Sequence, residues 1–399
     1  MGRKETILFV NRWRGTIGPN VGLKQMVGGC LRRGHEVHIA SPWRDDCLEG
    51  LSAAGAHVHR VEGLEFAPHG GCPFSLVRHG IRGVFASGRL ARLAREIGAS
   101  LLVVNGENML FAPRAGRLAG CPVVVVMQGA RFAGLGLAAR IFFRLQKRWV
   151  NRYLAISQTV AEGLARVGVG RDKVVTIFCG VDAEVFAPRS PDPALAARLG
   201  IPPRAQVILA VCNLEPRKGV HHLIESFGLV AGQSPQAICV IVGGPTHPDD
   251  EAYAAQLRRR AESLGLSGKV VFTGQRPDVP DLLALADVVA HPSETESFGR
   301  AVAEAMAAGK PVVGFRVDAV AELIDDGVTG LLADPFDARD FAAGLLRLLA
   351  DADLRTQMGQ AGRQRVLRLY DLKVNLPATV DLLEHVARQE GGGDNRLPS

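Results

Sequence analysis

Short apolar runs separated by helix-length segments recur along the whole chain, and that alternation limits the fold more than any other feature. In the first half the runs lie at 6–10, 37–40, 101–104, 123–127, 153–156 and 174–178. They are rich in Val, Ile and Leu, as strands buried on both faces are. With helices between them, such strands assemble into a parallel sheet covered on both sides. Functional loops then belong past the carboxyl ends of the strands, which singles out Asn105, Gly106, Glu107, Gln128 and Gly129. A second set of runs follows at 207–211, 238–242, 270–273, 288–290 and 311–314, with helices starting near Val220, Asp249, Val279 and Arg300. Between the sets, Gly180, Val181, Asp182 and Phe186 lead into prolines at 188, 191, 193, 202 and 203, the composition of a linker.

The chain has 399 residues, too many for one ordinary core, so two α/β domains are expected, 1–187 and 188–369. An apolar content of 47% with 22% charged residues excludes a disordered chain. No apolar run reaches the length of a membrane span, and residues 1–10 lack the pattern of a secretory signal. Only the tail at 391–399 reads as disordered. The seven cysteines, Cys30, Cys47, Cys72, Cys121, Cys179, Cys212 and Cys239, show no CxxC spacing. Their scatter fits a reduced, cytoplasmic protein without a zinc site.

Charge is uneven. Residues 1–189 hold 26 Lys and Arg against 13 Asp and Glu, whereas the remainder holds 21 against 27. A basic first half suits an anionic partner, and with no nucleic-acid motif in the chain nucleic acid ranks last. The segment 137–152, LAARIFFRLQKRWVNR, sets Arg140, Arg144, Lys147, Arg148 and Arg152 among Ile141, Phe142, Phe143, Leu145 and Trp149. As a helix it has basic residues on one side and aromatics on another, which suits either an anionic membrane surface or a core-facing helix with a basic outer face. On the first reading the protein is peripheral on the inner face of the membrane.

The first strand runs through Gly15, Gly18 and Gly22 into an apolar-periodic segment that ends at Arg33, with Gly34 as its stop. This strand, glycine loop and helix open a doubly wound domain. Its spacing is not the dinucleotide fingerprint, and the second strand ends in Ser41 and Pro42 rather than a ribose-binding acid, which disfavours an NAD oxidoreductase. Gly18 serves either the turn or a phosphate contact.

The stretch 291–314, HPSETESFGRAVAEAMAAGKPVVG, reads as strand, loop, helix, strand. Glu296 falls in the loop and Glu304 on the helix, eight residues apart, about 12 Å if both were helical. They suit two ends of one extended ligand. Between them the N–H groups of Phe298, Gly299 and Arg300 open the helix, a seat for a phosphate oxygen. A nucleoside diphosphate sugar has this layout; the alternative is a helix cap and a solvated carboxylate. The loop 213–219, NLEPRKG, follows the first strand of the second set and brings Asn213, Arg217 and Lys218 to the same end, with Gly219 letting the helix begin close by.

In this order, Arg33 to Val37, Gly180-Val181-Asp182 with Phe186, Lys218-Gly219, Gly243-Gly244, residues 271–274 and the Glu-x7-Glu from Glu296 to Glu304 resemble family 4 of the glycosyltransferases. The resemblance implies the GT-B fold, two facing Rossmann-like domains with a cleft between them, the first for the acceptor and the second for the donor. It further implies a helix within about 370–390 that crosses back onto the first domain. The implied activity is retaining transfer of a hexosyl group from a UDP- or GDP-sugar to a hydroxyl of a glycan, lipid-linked glycan or small natural product, without an obligatory metal. Glu296 would hold sugar hydroxyls, Glu304 the ribose, and Lys218 the diphosphate, helped by Ser297, Phe298 and Gly299. Gly18, Asn213, Arg217, Gly243, Gly274 and Arg276 would complete the donor site, and Gln128 would meet the sugar and acceptor. The sequence departs from the family pattern at Asn213, where relatives carry an arginine, at Gln128, where a histidine is common, at Cys179 and at 19–22. A nucleotide-sugar epimerase and a non-catalytic nucleotide-sugar-binding subunit are the alternatives.

Overall fold

The computed structural model describes residues 3–15, 18–64, 73–107, 109–129 and 136–388, with backbone alone at 73–81 and 249. Cys72 and the tail at 391–399 lie outside the described residues. The chain divides into two compact units, Met1–Cys179 with Lys373–Ser399, and Gly180–Leu372.

In the first unit seven strands, β1 (Thr6–Asn11), β2 (Glu36–Ser41), β3 (His57–Arg60), β4 (Leu101–Asn105), β5 (Val123–Met127), β6 (Arg152–Ala155) and β7 (Val174–Thr176), pair in the order β3-β2-β1-β4-β5-β6-β7. Six strands form the second sheet, β8 (Gln206–Val211), β9 (Ala237–Val242), β10 (Val270–Gly274), β11 (Val288–His291), β12 (Val312–Phe315) and β13 (Gly330–Ala333), in the order β10-β9-β8-β11-β12-β13. Every pairing is parallel. β4, β5 and β9 are buried along their whole length, which is why they read as unbroken apolar runs.

The two strands outside the expected runs are edge strands. β3 is His-Val-His-Arg with both ends exposed, and β13 is four residues opening on glycine. Neither carries the Val and Ile density that marks a central strand.

Three local expectations change. The helix after β1 spans Gly18–Arg32, so Gly18 starts it and Gly22 lies within it rather than in a glycine loop. The basic helix ends at Gln146, which leaves Arg148 and Trp149 in a turn and Arg152 at the start of β6. The division between units falls at 179/180 instead of 187/188. Val181 bridges Asp371 and exchanges backbone hydrogen bonds with Tyr370 and Leu372, which ties the linker signature to the second unit.

The last helix, Leu372–Arg388, packs on Gly18–Arg32. Arg33 pairs with Asp381 at 2.5 Å and Glu384 at 3.1 Å, and His35 Nε2 lies 2.8 Å from Glu384. Contact is closest at Gly29, where an added Cβ would stand 2.9 Å from both Leu376 and Val380. Gly29→Val should therefore destabilise the first unit by about 2 kcal/mol through overpacking. Gly28→Ala, one position away and meeting only the Arg32 side chain at 3.4 Å, should stabilise by up to about 1 kcal/mol. Urea midpoints of the two variants check this; equal shifts would show that the helix contact is not the cause.

Candidate functional site

In the second sheet β8 and β11 are neighbours from which the strand order departs in opposite directions. Loops leaving such a pair at its carboxyl end diverge and open a crevice. The loop after β8 carries Asn213, Arg217 and Lys218, and the loop after β11 carries Glu294 to Gly299. Their backbones touch: Gly219 has φ 64°, and a Cβ there would fall 1.9 Å from Pro292 O. Gly243, at φ 137°, closes just as tightly on Cys212 O and donates its N–H to Gly274 O at 2.9 Å. Glycine is required at both positions because a side chain would collide with main chain.

That contact lets Lys218 Nζ donate to Glu296 Oε2 at 2.6 Å, with the two side chains 15% and 11% exposed. His291 Nε2 stands 3.5 Å from the same oxygen. Burial pushes the Glu296 carboxyl up, but Lys218 and His291 overcome it and hold the group well below the usual carboxylate range. Asp318 fixes the loop by accepting from Thr295 Oγ1 at 2.6 Å and from Glu296 N at 3.1 Å. The helix Arg300–Ala307 then starts from Gly299, and the N–H groups of Phe298 and Gly299 hold no hydrogen bond among the described residues. Glu304 is half-buried on this helix, 3.3 Å from Arg300 Nη2. Burial raises its carboxyl, against the pull of Arg300.

The structure brings together Lys218, Glu296, Ser297, Phe298 and Gly299, with Glu304 on the following helix. It engages two expected cations elsewhere. Arg217 forms a double hydrogen bond with Glu215, 2.8 Å at each contact, and Arg276 does the same with Asp278 at 2.8 and 2.5 Å. In both cases a carboxylate two residues away reaches the guanidinium and neutralises it. Asn213 follows β8 half-buried, and Gly274 ends β10.

In the first unit, Gln128 and Gly18 sit by a chain of amides that sequence reasoning had only half found. Gln128 Nε2 donates to Asn105 Oδ1 at 2.8 Å, Asn105 Nδ2 to Asn11 Oδ1 at 3.0 Å, and Asn11 Nδ2 to Asn20 Oδ1 at 3.1 Å. Asn11 and Asn105 are register partners at the ends of β1 and β4, where the order of the first sheet also divides. A polar residue ending each apolar run was the available signal for Asn11. The buried Glu107 carboxylate accepts from Gln128 N at 3.1 Å, and burial raises its carboxyl.

Residues 18–185 match the model of Glycosyltransferase Family 4, and residues 192–365 that of Glycosyl transferases group 1. D-inositol 3-phosphate glycosyltransferase of Corynebacterium glutamicum is 34% identical over 196 residues, 47% of this chain and 46% of that protein. The chain thus spans about half the length of the first such relatives it matches. N-acetyl-alpha-D-glucosaminyl L-malate synthase of Bacillus anthracis is 24% identical over 364 residues, 88% of this chain and 91% of that one. Among solved structures, a glycosyltransferase of Rickettsia africae superposes with TM-score 0.83 at 18% identity, covering 96% of this chain and 99% of the other. Anabaena HepE in complex with UDP-glucose gives 0.80 at 22%, covering 95% and 99%. Two parallel α/β sheets, both family models and these superpositions agree: the chain belongs to the group 1, family 4 glycosyltransferases and has the GT-B fold.

Proposed function

We propose that the protein is a retaining hexosyltransferase that takes a UDP- or GDP-sugar as donor and a hydroxyl of a glycan, lipid-linked glycan or small molecule as acceptor. The observation that carries this reading is the Lys218–Glu296 pair beside the open helix start at Phe298 and Gly299. Lys218 has three N–H donors and gives one to Glu296, which leaves two for diphosphate oxygens. Glu296 keeps Oε1 for sugar hydroxyls, and Glu304 takes the ribose. HepE, solved with UDP-glucose, lends the nucleotide-sugar donor further support.

Transfer breaks the bond between the anomeric carbon and the phosphate oxygen and forms one to the acceptor oxygen on the same face of the sugar. The acceptor proton passes to the departing phosphate. Charge gathering on that phosphate meets Lys218, the two amides and the helix dipole, so no metal is needed on the diphosphate. Gln128 positions sugar and acceptor through its amide.

The helix Gly136–Gln146 favours a membrane-held acceptor. It buries Ala139, Phe143 and Gln146, while Leu137, Ile141 and Leu145 are 72%, 52% and 39% exposed among Arg140 and Arg144. A core-facing helix with a purely basic outer face would not show three large aliphatics at a spacing of four. No described helix is long and apolar enough to cross a membrane, so the reading is one of surface contact.

Thermal unfolding with a panel of nucleotide sugars tests the donor. One UDP- or GDP-sugar at 100 times its Kd should add about 2.7 kcal/mol, and nucleoside diphosphate should then appear only when an acceptor is added. Turnover without acceptor would indicate the epimerase, binding without release the non-catalytic subunit, and no shift with any donor would end the proposal.

Lys218→Met should cost about 3 kcal/mol at pH 8, since it strands a buried carboxylate. In the native protein the Glu296 carboxyl lies below its ordinary 4.5, so the pair's stabilisation is full above that pH and is lost as pH falls toward the folded value. Without Lys218 only His291 opposes burial, so the carboxyl rises relative to the native protein and the penalty grows as pH rises through that higher value. The gap in Tm between variant and native protein should narrow from pH 8 to pH 5; a constant gap contradicts this account. Flotation should find the protein on anionic but not zwitterionic vesicles at low salt, with Ile141→Glu weakening capture about tenfold. Failure to float at any ionic strength removes the membrane reading.

A further inference from the structure

Among the described residues, two groups of histidine and carboxylate side chains converge. One, at the edge of the first sheet, is Glu36, His38 and His57. There His38 has its Nε2 3.2 Å from Glu36 and its Nδ1 2.9 Å from His59. Both ring nitrogens of His38 are thus already matched, and the ring stacks on His57, 29° from parallel.

In the other group the imidazoles also lie close, centroids 4.0 Å apart and 41° from parallel, but both Nε2 atoms face one carboxylate oxygen. His221 and His222 open the helix Val220–Gln233, and Glu294 lies on the loop after β11. Glu294 Oε1 stands 3.4 Å from His221 Nε2 and 3.3 Å from His222 Nε2. Ligand atoms about 2.0–2.1 Å from a tetrahedral zinc ion are about 3.3 Å from one another. Two edges of that tetrahedron are therefore already in place.

Both rings are held from behind. Tyr253 Oη lies 2.8 Å from His221 Nδ1, which fixes the orientation of the ring with its Nε2 toward Glu294. His222 is stacked on Phe336 and meets Phe315 edge-on. Glu294 is anchored by its N–H to Arg217 O at 2.9 Å.

We propose that His221 Nε2, His222 Nε2 and the Glu294 carboxylate bind a divalent transition metal of the zinc class, with the fourth position open to water. No step of the sugar transfer passes through this site. Its effect is mechanical: the ion clamps the start of a helix to a loop two residues ahead of Glu296.

The full-length, untagged chain, stripped with a chelator and dialysed, is titrated with Co2+ under visible absorption and with Zn2+ by calorimetry. One Co2+ per chain should bind with the intense bands of four-coordinate geometry, and Zn2+ should displace it. Glu294→Gln, isosteric and half-exposed, and His222→Gln should each weaken binding tenfold or more, while His57→Ala leaves the spectrum unchanged. Metal-free melting curves show that each variant is folded; should His222→Gln fail to fold, Glu294→Gln decides. Bands that survive Glu294→Gln, bands lost in His57→Ala, or no bands from the native chain at millimolar Co2+ overturn the proposal.

Discussion

A buried ion pair between two loops organises the second unit. Lys218 and Glu296 come from the loops after β8 and β11, and each would be costly to bury alone. Their charges offset one another only because the main chains meet, and the main chains meet only because residue 219 has no side chain. Sequence, backbone conformation and electrostatics are linked here in that order: a glycine permits the approach, the approach permits the pair, and the pair leaves unused donors and one free carboxylate oxygen facing the same helix start.

The first unit uses neutral chemistry at the corresponding place. Where its strand order divides, Gln128, Asn105 and Asn11 bond in series: Gln128 gives to Asn105, and Asn105 and Asn11 each give and accept. Such a chain orients groups without fixed charge, which suits contact with hydroxyls. Neighbouring Glu107, buried and with its carboxyl raised, is the one acid in that network.

Much of this could be read from the chain itself. The central strands, the loop position of Glu296 and the helical position of Glu304 follow from apolar runs and glycine punctuation. The edge strand β3 was hidden because a half-exposed strand needs no apolar run, and β13 because four residues opening on glycine are too short to stand out. The pairing of Arg217 with Glu215 and of Arg276 with Asp278 was hidden for a different reason. A basic residue near a strand end reads alike whether it is available or already matched, and only the path of the loop decides. The 137–152 segment reads as one long helix because its composition stays helical past Gln146; the start of β6 at Arg152 is imposed by pairing with β5.

Asn105 is followed by Gly106, ordinarily the dipeptide quickest to shed ammonia, because the unhindered glycine nitrogen can attack the asparagine carbonyl. In this protein both partners in that attack are occupied. The Asn105 side chain is fully buried within the amide series, and Gly106 N donates to Val104 O at 3.2 Å and Val126 O at 3.0 Å. Spontaneous deamidation is thereby confined to unfolded molecules. A chain that has aged in this way carries an aspartate or isoaspartate, neither of which can donate to Asn11, so the same bonds that protect the residue also make the damage hard to fold around.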